Sequence, residues 1–134
     1  DSEVSAIRAV ALDGGYVHTV AGTGLFDFGD VDGAGEAVRL QHPLGVARAN
    51  GVLYVADSYN HKIKRCDPAE RRVTSFLGSG EPGHHDGRGV EAQFSEPGGL
   101  SFAGGKLYVA DTNNHAIRVC DVKTGAVKTL EVRC

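Results

Sequence analysis
The chain has 134 residues, a net charge of -3, 19 glycines, three cysteines, and neither tryptophan nor methionine. That length allows one ordinary domain, the acidic balance lacks the basic footprint of nucleic-acid domains, and no apolar stretch reaches the ~18 residues of a membrane helix. Many glycines between short apolar runs mean many tight turns, which suits an all-β architecture.

Residues 1–24 open in mid-pattern. Asp1-Ser2 stand where Asp57-Ser58 stand later, Ile7 where Ile63 does, Val17 where Val73 does, and Gly22-Thr23-Gly24 answer Gly78-Ser79-Gly80. Val4 and Ser5 replace the Asn60-His61 pair. The reading is a pair of outer strands from an incomplete unit, and a segment of a longer protein that starts at a corner residue.

Residues 25–80 begin with an acidic connector, then read as four short strands. Val46–Arg48 is a brief apolar entry. Leu53–Ala56 is a nearly continuous apolar run, as expected of a strand covered on both faces. Ile63–Cys66 alternates apolar and basic residues, and Arg72–Leu77 alternates again. The links Ala49-Asn50-Gly51, Asp57-Ser58-Tyr59-Asn60 and Asp67-Pro68-Ala69-Glu70 carry turn chemistry.

Residues 81–134 repeat that unit. Leu53-Tyr54-Val55-Ala56-Asp57 through Lys64 returns, 54 positions later, as Leu107-Tyr108-Val109-Ala110-Asp111 through Arg118. Pro43, Gly45, Asp32-Gly33, Cys66-Asp67 and Val73 likewise match Pro97, Gly99, Asp86-Gly87, Cys120-Asp121 and Val127. The Gly-rich connector 78–97 allows one helical turn near Gly89–Phe94. Four strands per repeat, with a long exit to the next inner strand, describe a blade of a β-propeller. The fold expected is therefore an all-β partial propeller of about two and a half four-stranded blades, divided at residues 24 and 80.

Asn60-His61-x-Ile63 and Asn114-His115-x-Ile117, each after a Tyr-Val-Ala-Asp strand, resemble the signature of NHL repeats. Leu40-Gln41-His42-Pro43-Leu44-Gly45 and Ala92-Gln93-Phe94-Ser95-Glu96-Pro97 are similar to the propeller of large thioredoxin-like/NHL fusion proteins. That resemblance implies a ring of about six blades, set after a thioredoxin-like domain and before a small β domain. It places redox chemistry outside this chain, in keeping with the missing C-x-x-C. It also implies a role as a non-catalytic scaffold without cofactors. Its partners would be a protein or the adjacent thioredoxin-like domain, with further blades or another copy completing the ring. The family has animal and chloroplast members, so cytoplasm and thylakoid lumen both remain open.

Candidate residues fall into two groups. Asp57, Asn60, His61, Asp111, Asn114 and His115 sit at turns whose amides need acceptors, and read as blade-corner residues. His42, His84, His85 and Asp86 lie in connectors and are candidate interaction loops. A related NHL-propeller lyase holds a metal with histidines, but zinc needs three or four converging ligands, and Val31 stands at the place of His85. Asp30-Val31-Asp32-Gly33 starts like a calcium loop, yet Ala34 and Gln41 fall where further ligands belong. Lys62, Lys64, Arg65, Arg71 and Arg72, echoed by Arg118, Lys123 and Lys128, would suit RNA; with acidic net charge they read better as edge protection. No Ser-His-Asp order, G-x-S-x-G or phosphate loop is present. Cys66 and Cys120 read as small buried hydrophobes, and Cys134 is uninformative.

Overall fold
The structure, a computed structural model, describes residues 5–10, 14–23 and 27–130. The equivalences drawn for Asp1, Ser2, Val4 and Gly24, and Cys134, lie outside the described residues. Every strand pair is antiparallel. Strands β1 (Ile7–Val10) and β2 (Val17–Ala21) pair alone. The middle repeat comprises β3 (Gly33–Ala34), β4 (Pro43–Ala49), β5 (Val52–Asp57), β6 (Lys62–Asp67) and β7 (Arg72–Leu77), in sheet order β3-β7-β6-β5-β4. The last repeat places β8 (Gly87–Arg88), β9 (Pro97–Ala103), β10 (Lys106–Asp111), β11 (Ala116–Asp121) and β12 (Ala126–Leu130) in the same order. This is the all-β partial propeller expected from the repeat. The four expected strands form a meander in each repeat, and the connector adds a two-residue strand outside the fourth. That addition shields part of an edge that would otherwise be unpaired. The helical turn is a 3-10 turn at 89–91, with a counterpart at 35–37. Among the described residues no helix is long and apolar enough to cross a membrane.

Local sequence explains the meander. Asn50 and Gly51 adopt φ 50 and 81, and Gly104 and Gly105 adopt φ 58 and 78; two positive φ values in a two-residue link match the right-handed twist of a hairpin. The inner strands approach closely, because a Cβ on Gly45 would lie 1.9 Å from the Gly98 carbonyl oxygen. Only glycine permits β4 and β9 to meet this way.

The core lies between sheets. Ile7, Val20 and Ala21 pack against Val38, Leu40, Val55, Cys66 and Val73. Ala56, Ile63 and Leu77 pack against Phe94, Leu107, Val109, Cys120 and Val127. Each junction is plugged by two connector residues, Val38 and Leu40 in the first and Ala92 and Phe94 in the second, all fully buried. Burying a side chain the size of Leu40 or Phe94 contributes about 1.5–3 kcal/mol. Because the connector of each repeat lies over the third strand of its sheet, a basic residue on β6 or β11 need not reach solvent. Lys64 and its counterpart Arg118 are fully buried, so the edge-protection reading fails for both. Arg65, Arg72, Lys123 and Lys128 are exposed, but Arg65 lies on a strand paired on both sides and guards no edge.

Candidate functional site
The chain turns a corner where β5 ends. Asp57 leaves the strand, residues 58–60 make a 3-10 turn, and His61 closes it at φ 56. Non-glycine residues in this left-handed region are uncommon, with Asn, Asp and His enriched. The Asp57 carboxylate is fully buried. Its Oδ1 accepts the Gln41 N–H at 2.7 Å, while Oδ2 accepts the Asn60 amide at 2.7 Å and lies 2.8 Å from Lys64 Nζ. Asn60 also donates to the Gly29 carbonyl at 2.6 Å. Lys64 makes a second ion pair with Asp30 at 2.9 Å, and Lys62 joins Asp30 at 2.6 Å.

The second corner repeats the first with one exchange. Asp111 accepts from the Ser95 N–H at 2.8 Å, the Asn114 amide at 2.8 Å and Arg118 at 2.7 Å. Asn114 donates to the Gly83 carbonyl at 2.8 Å. Arg118 also reaches the Gln93 carbonyl at 2.7 Å, the His85 carbonyl at 2.8 Å and Asp86 at 2.9 Å. Its guanidinium lies 4.9 Å from the centre of the Phe94 ring.

Burial works against charge throughout these corners. It pushes the Asp57 carboxyl up despite Lys64. Burial also opposes the Lys64 ammonium, but attraction to Asp57 and Asp30 outweighs it and holds the group above an ordinary lysine. For Asp30, burial is overcome by hydrogen bonds from Lys62 and Lys64, so its carboxyl falls below the usual range. Asp86 falls likewise: burial is outweighed by Thr129 and Arg118. Burial, helped by Asp67 and Asp121, pushes the Cys66 thiol up to about 11 and the Cys120 thiol up to about 12. Thiols held that high are poor nucleophiles at neutral pH.

Corners also join successive sheets. The His61 Nδ1 accepts the Glu96 N–H at 3.0 Å, and Ser58 donates its hydroxyl to the Pro97 carbonyl at 2.5 Å. One repeat earlier, Ser5 Oγ takes the place of the imidazole and accepts the His42 N–H at 3.2 Å. Beside these links runs a row of solvent-facing side chains. The His42 ring stacks on Tyr59 with centroids 4.7 Å apart, and Tyr59 is 47% exposed. In the next repeat Glu96 accepts from Asn113, next to the exposed His115.

The remaining connector residues do not converge. His84 Nε2 lies 3.2 Å from Thr129 Oγ1, whereas His85 Nδ1 donates to the Glu91 carbonyl at 3.1 Å. Asp30 is held by lysines, and Asp32 accepts from the Ser75 N–H and hydroxyl at 2.8 and 2.9 Å. Asp86 takes the same part with Thr129, at 3.2 and 2.8 Å. Among the described residues no three His, Cys, Asp or Glu side chains gather as a metal-binding group. Sequence reasoning missed Lys64, Arg118, Asp30 and the cross-sheet role of the residue before proline. The available signal was that a basic residue follows each signature Ile, at positions 64 and 118.

Comparison with known proteins agrees with this architecture. The NHL repeat model matches residues 40–66 and 94–120. The chain is 49% identical over 144 residues to Protein SUPPRESSOR OF QUENCHING 1, chloroplastic, of Arabidopsis thaliana, covering 99% of this chain and 14% of that protein. It is 48% identical over 142 residues to human NHL repeat-containing protein 2, covering 98% of this chain and 20% of that one. It therefore spans a fifth or less of these relatives. A Bacteroides thetaiotaomicron structural-genomics protein of unknown function superposes with a TM-score of 0.80 at 23% identity, over 96% of this chain and 31% of its own. An auxiliary nutrient binding protein from Bacteroides ovatus gives 0.75 at 23%, over 97% and 34%. At that identity both speak to the fold alone. Paired sheets, repeated corners and matched repeats together make this chain a partial β-propeller that carries NHL repeats.

Proposed function
We propose that this segment is a non-catalytic interaction platform within a larger redox-associated protein, presenting corner and connector side chains to a protein partner. The corner residues Asp57, Asn60 and His61, with Asp111, Asn114 and His115, serve as mounts. The row His42, Tyr59, Glu96, Asn113 and His115 is the contacting surface, flanked by the connector around His84, His85 and Asp86. The first candidate partner is a thioredoxin-like domain on the same polypeptide. One observation carries this reading: the stacked His42–Tyr59 pair is exposed yet fixed, because the His42 N–H binds Ser5 and the Tyr59 N–H binds the Gln41 carbonyl at 3.1 Å. A rigid, half-exposed aromatic loses little conformational entropy on binding. The inert thiols of Cys66 and Cys120 also favour chemistry located elsewhere.

The test is partner capture by the full-length protein. A His42→Asn/Tyr59→Ala variant, asparagine being tolerant of the left-handed backbone at position 42, should lose at least about tenfold in affinity for the isolated thioredoxin-like domain, with little change in melting. Unchanged affinity would remove the row from the interface. Stoichiometric metal with turnover, or steeply salt-dependent RNA binding in a filter assay, would overturn the reading in favour of a lyase-like or an RNA-binding propeller.

A further inference from the structure
The middle and last repeats mount different side chains on one frame. His42 and Glu96 occupy equivalent positions, as do Tyr59 and Asn113. His42 and Glu96 both precede a proline, and both hold a left-handed backbone, at φ 53 and 50. Residues before proline favour extended backbone, and positive φ is uncommon outside glycine. Each site therefore stores strain of the kind that gathers at ligand contacts. One backbone bond fixes each frame: the Tyr59 N–H binds the Gln41 carbonyl and the Asn113 N–H the Ser95 carbonyl, both at 3.1 Å.

The groups displayed on the two frames differ. The middle repeat presents stacked rings, His42 on Tyr59, with Tyr59 47% exposed. The last repeat presents the half-buried Glu96 carboxylate, which accepts from the Asn113 amide and, among the described residues, pairs with no cation. A carboxylate drawn partly out of water without a counter-charge gains from a cation brought by a partner. His61 spans the step between the two groups. It lies two residues after Tyr59, and its Nδ1 accepts the Glu96 N–H at 3.0 Å. Sheets packed face to face stand ~10 Å apart. A polyproline-type segment rises ~3.1 Å per residue and returns a side chain to the same edge every third residue, ~9 Å along.

We propose that the row reads an extended segment of a protein partner that carries an aliphatic or aromatic residue and, three positions away, a lysine or arginine. The apolar side chain lies against Tyr59, and the cation meets Glu96. This rests on the platform reading and names what the platform recognises. The net charge of -3 favours a basic partner segment over an acidic one.

The probes are two proline-rich peptides, one with leucine three positions before lysine and one with the order reversed. Each is titrated into the isotopically labelled full chain and followed by NMR. Expected are saturable shifts centred on Tyr59, Glu96 and Asn113 with at least one of the two. Glutamate in place of lysine should weaken binding about fivefold or more, and moving the lysine one position nearer the leucine should cost as much. Glu96→Gln keeps an acceptor for Asn113, so its melting should not change, while its lysine preference and the salt dependence of binding disappear. Absence of shifts at millimolar peptide, shifts confined to other residues, or equal binding of the lysine and glutamate peptides overturns the proposal. Capture of the isolated thioredoxin-like domain separates it from the platform reading. Affinity lost in His42→Asn/Tyr59→Ala but intact in Glu96→Gln overturns the proposal and leaves the platform standing, whereas affinity intact in both removes the row altogether.

Discussion

The middle and last repeats solve one electrostatic problem in two ways. Each buries a cation against the corner aspartate, but the middle repeat uses a lysine and the last an arginine. An ammonium is a compact point charge, and Lys64 is served by two carboxylates, Asp57 and Asp30. A guanidinium is a planar fork that reaches several acceptors at once. Arg118 accordingly binds two backbone carbonyls as well as Asp111 and Asp86, and stands over Phe94. Where Asp30 supports the lysine, the last repeat has His84; where Lys62 shares Asp30, it has Ala116. The neighbours thus change together with the cation. One donor is left over, since the Arg118 Nε is buried without a partner among the described residues.

The largest effect should come from removing the shared element. Asp57→Ala or Asp111→Ala leaves a buried cation short of its main partner and orphans a connector N–H, an expected loss of about 3–5 kcal/mol. Urea denaturation of each variant checks this; a loss below about 1 kcal/mol would mean the pair is solvated and the comparison empty.

Exchanging the cations tests the comparison directly. Arg118→Lys should cost about 2 kcal/mol, because one ammonium cannot serve the His85 and Gln93 carbonyls together with two aspartates. Adding His84→Asp copies the Asp30 arrangement and should recover part of the loss. A coupling energy above about 0.5 kcal/mol in the double-mutant cycle supports the co-variation, and additivity refutes it.

How much of this was legible in the sequence follows from the same pair of repeats. The fold was readable because a repeat at a fixed spacing reports a stacking unit regardless of what each side chain does. The corner positions 57, 60, 111 and 114 stood out because Asp and Asn beside a turn have few alternative uses. Lys64 and Arg118 did not, because alternation of Ile, basic residue and Cys looks like a strand with one wet face. Only the connector, laid over that strand between its sheet and the preceding one, makes the second face dry. Likewise Asp30 and Asp32 read only as the start of an incomplete calcium loop, since their partners Lys64 and Ser75 lie 34 and 43 residues away. The exposed row is harder still: nothing in His42 or Tyr59 alone announces that they stack across a connector.

A smaller effect separates the two histidine corners. His61→Ala and His115→Ala introduce the same left-handed alanine, but among the described residues only His61 accepts a cross-sheet N–H. The difference between them should be about 1 kcal/mol, measured as the gap between their urea midpoints multiplied by a common slope. Equal losses would show that the imidazole acts only through backbone conformation.

The smallest expected difference is in acid. Asp30 and Asp86 are both depressed below the ordinary carboxylate value of 3.8. A carboxylate depressed by folding contributes stability that is present above its unfolded pKa and lost as pH falls through its folded one. Stability should therefore decline from about pH 4 downward. Asp57, raised by burial, acts in the opposite sense and blunts the decline, so the informative quantity is the change on neutralising one acid at a time. Asp30 sits between two lysines, whereas Asp86, with its side chain 48% exposed, faces one arginine and is better screened by water. Asp30→Asn should flatten the pH 3–5 slope of the urea midpoint more than Asp86→Asn does. The reverse order would place the stronger corner charge pair in the last repeat and undo the contrast between lysine and arginine.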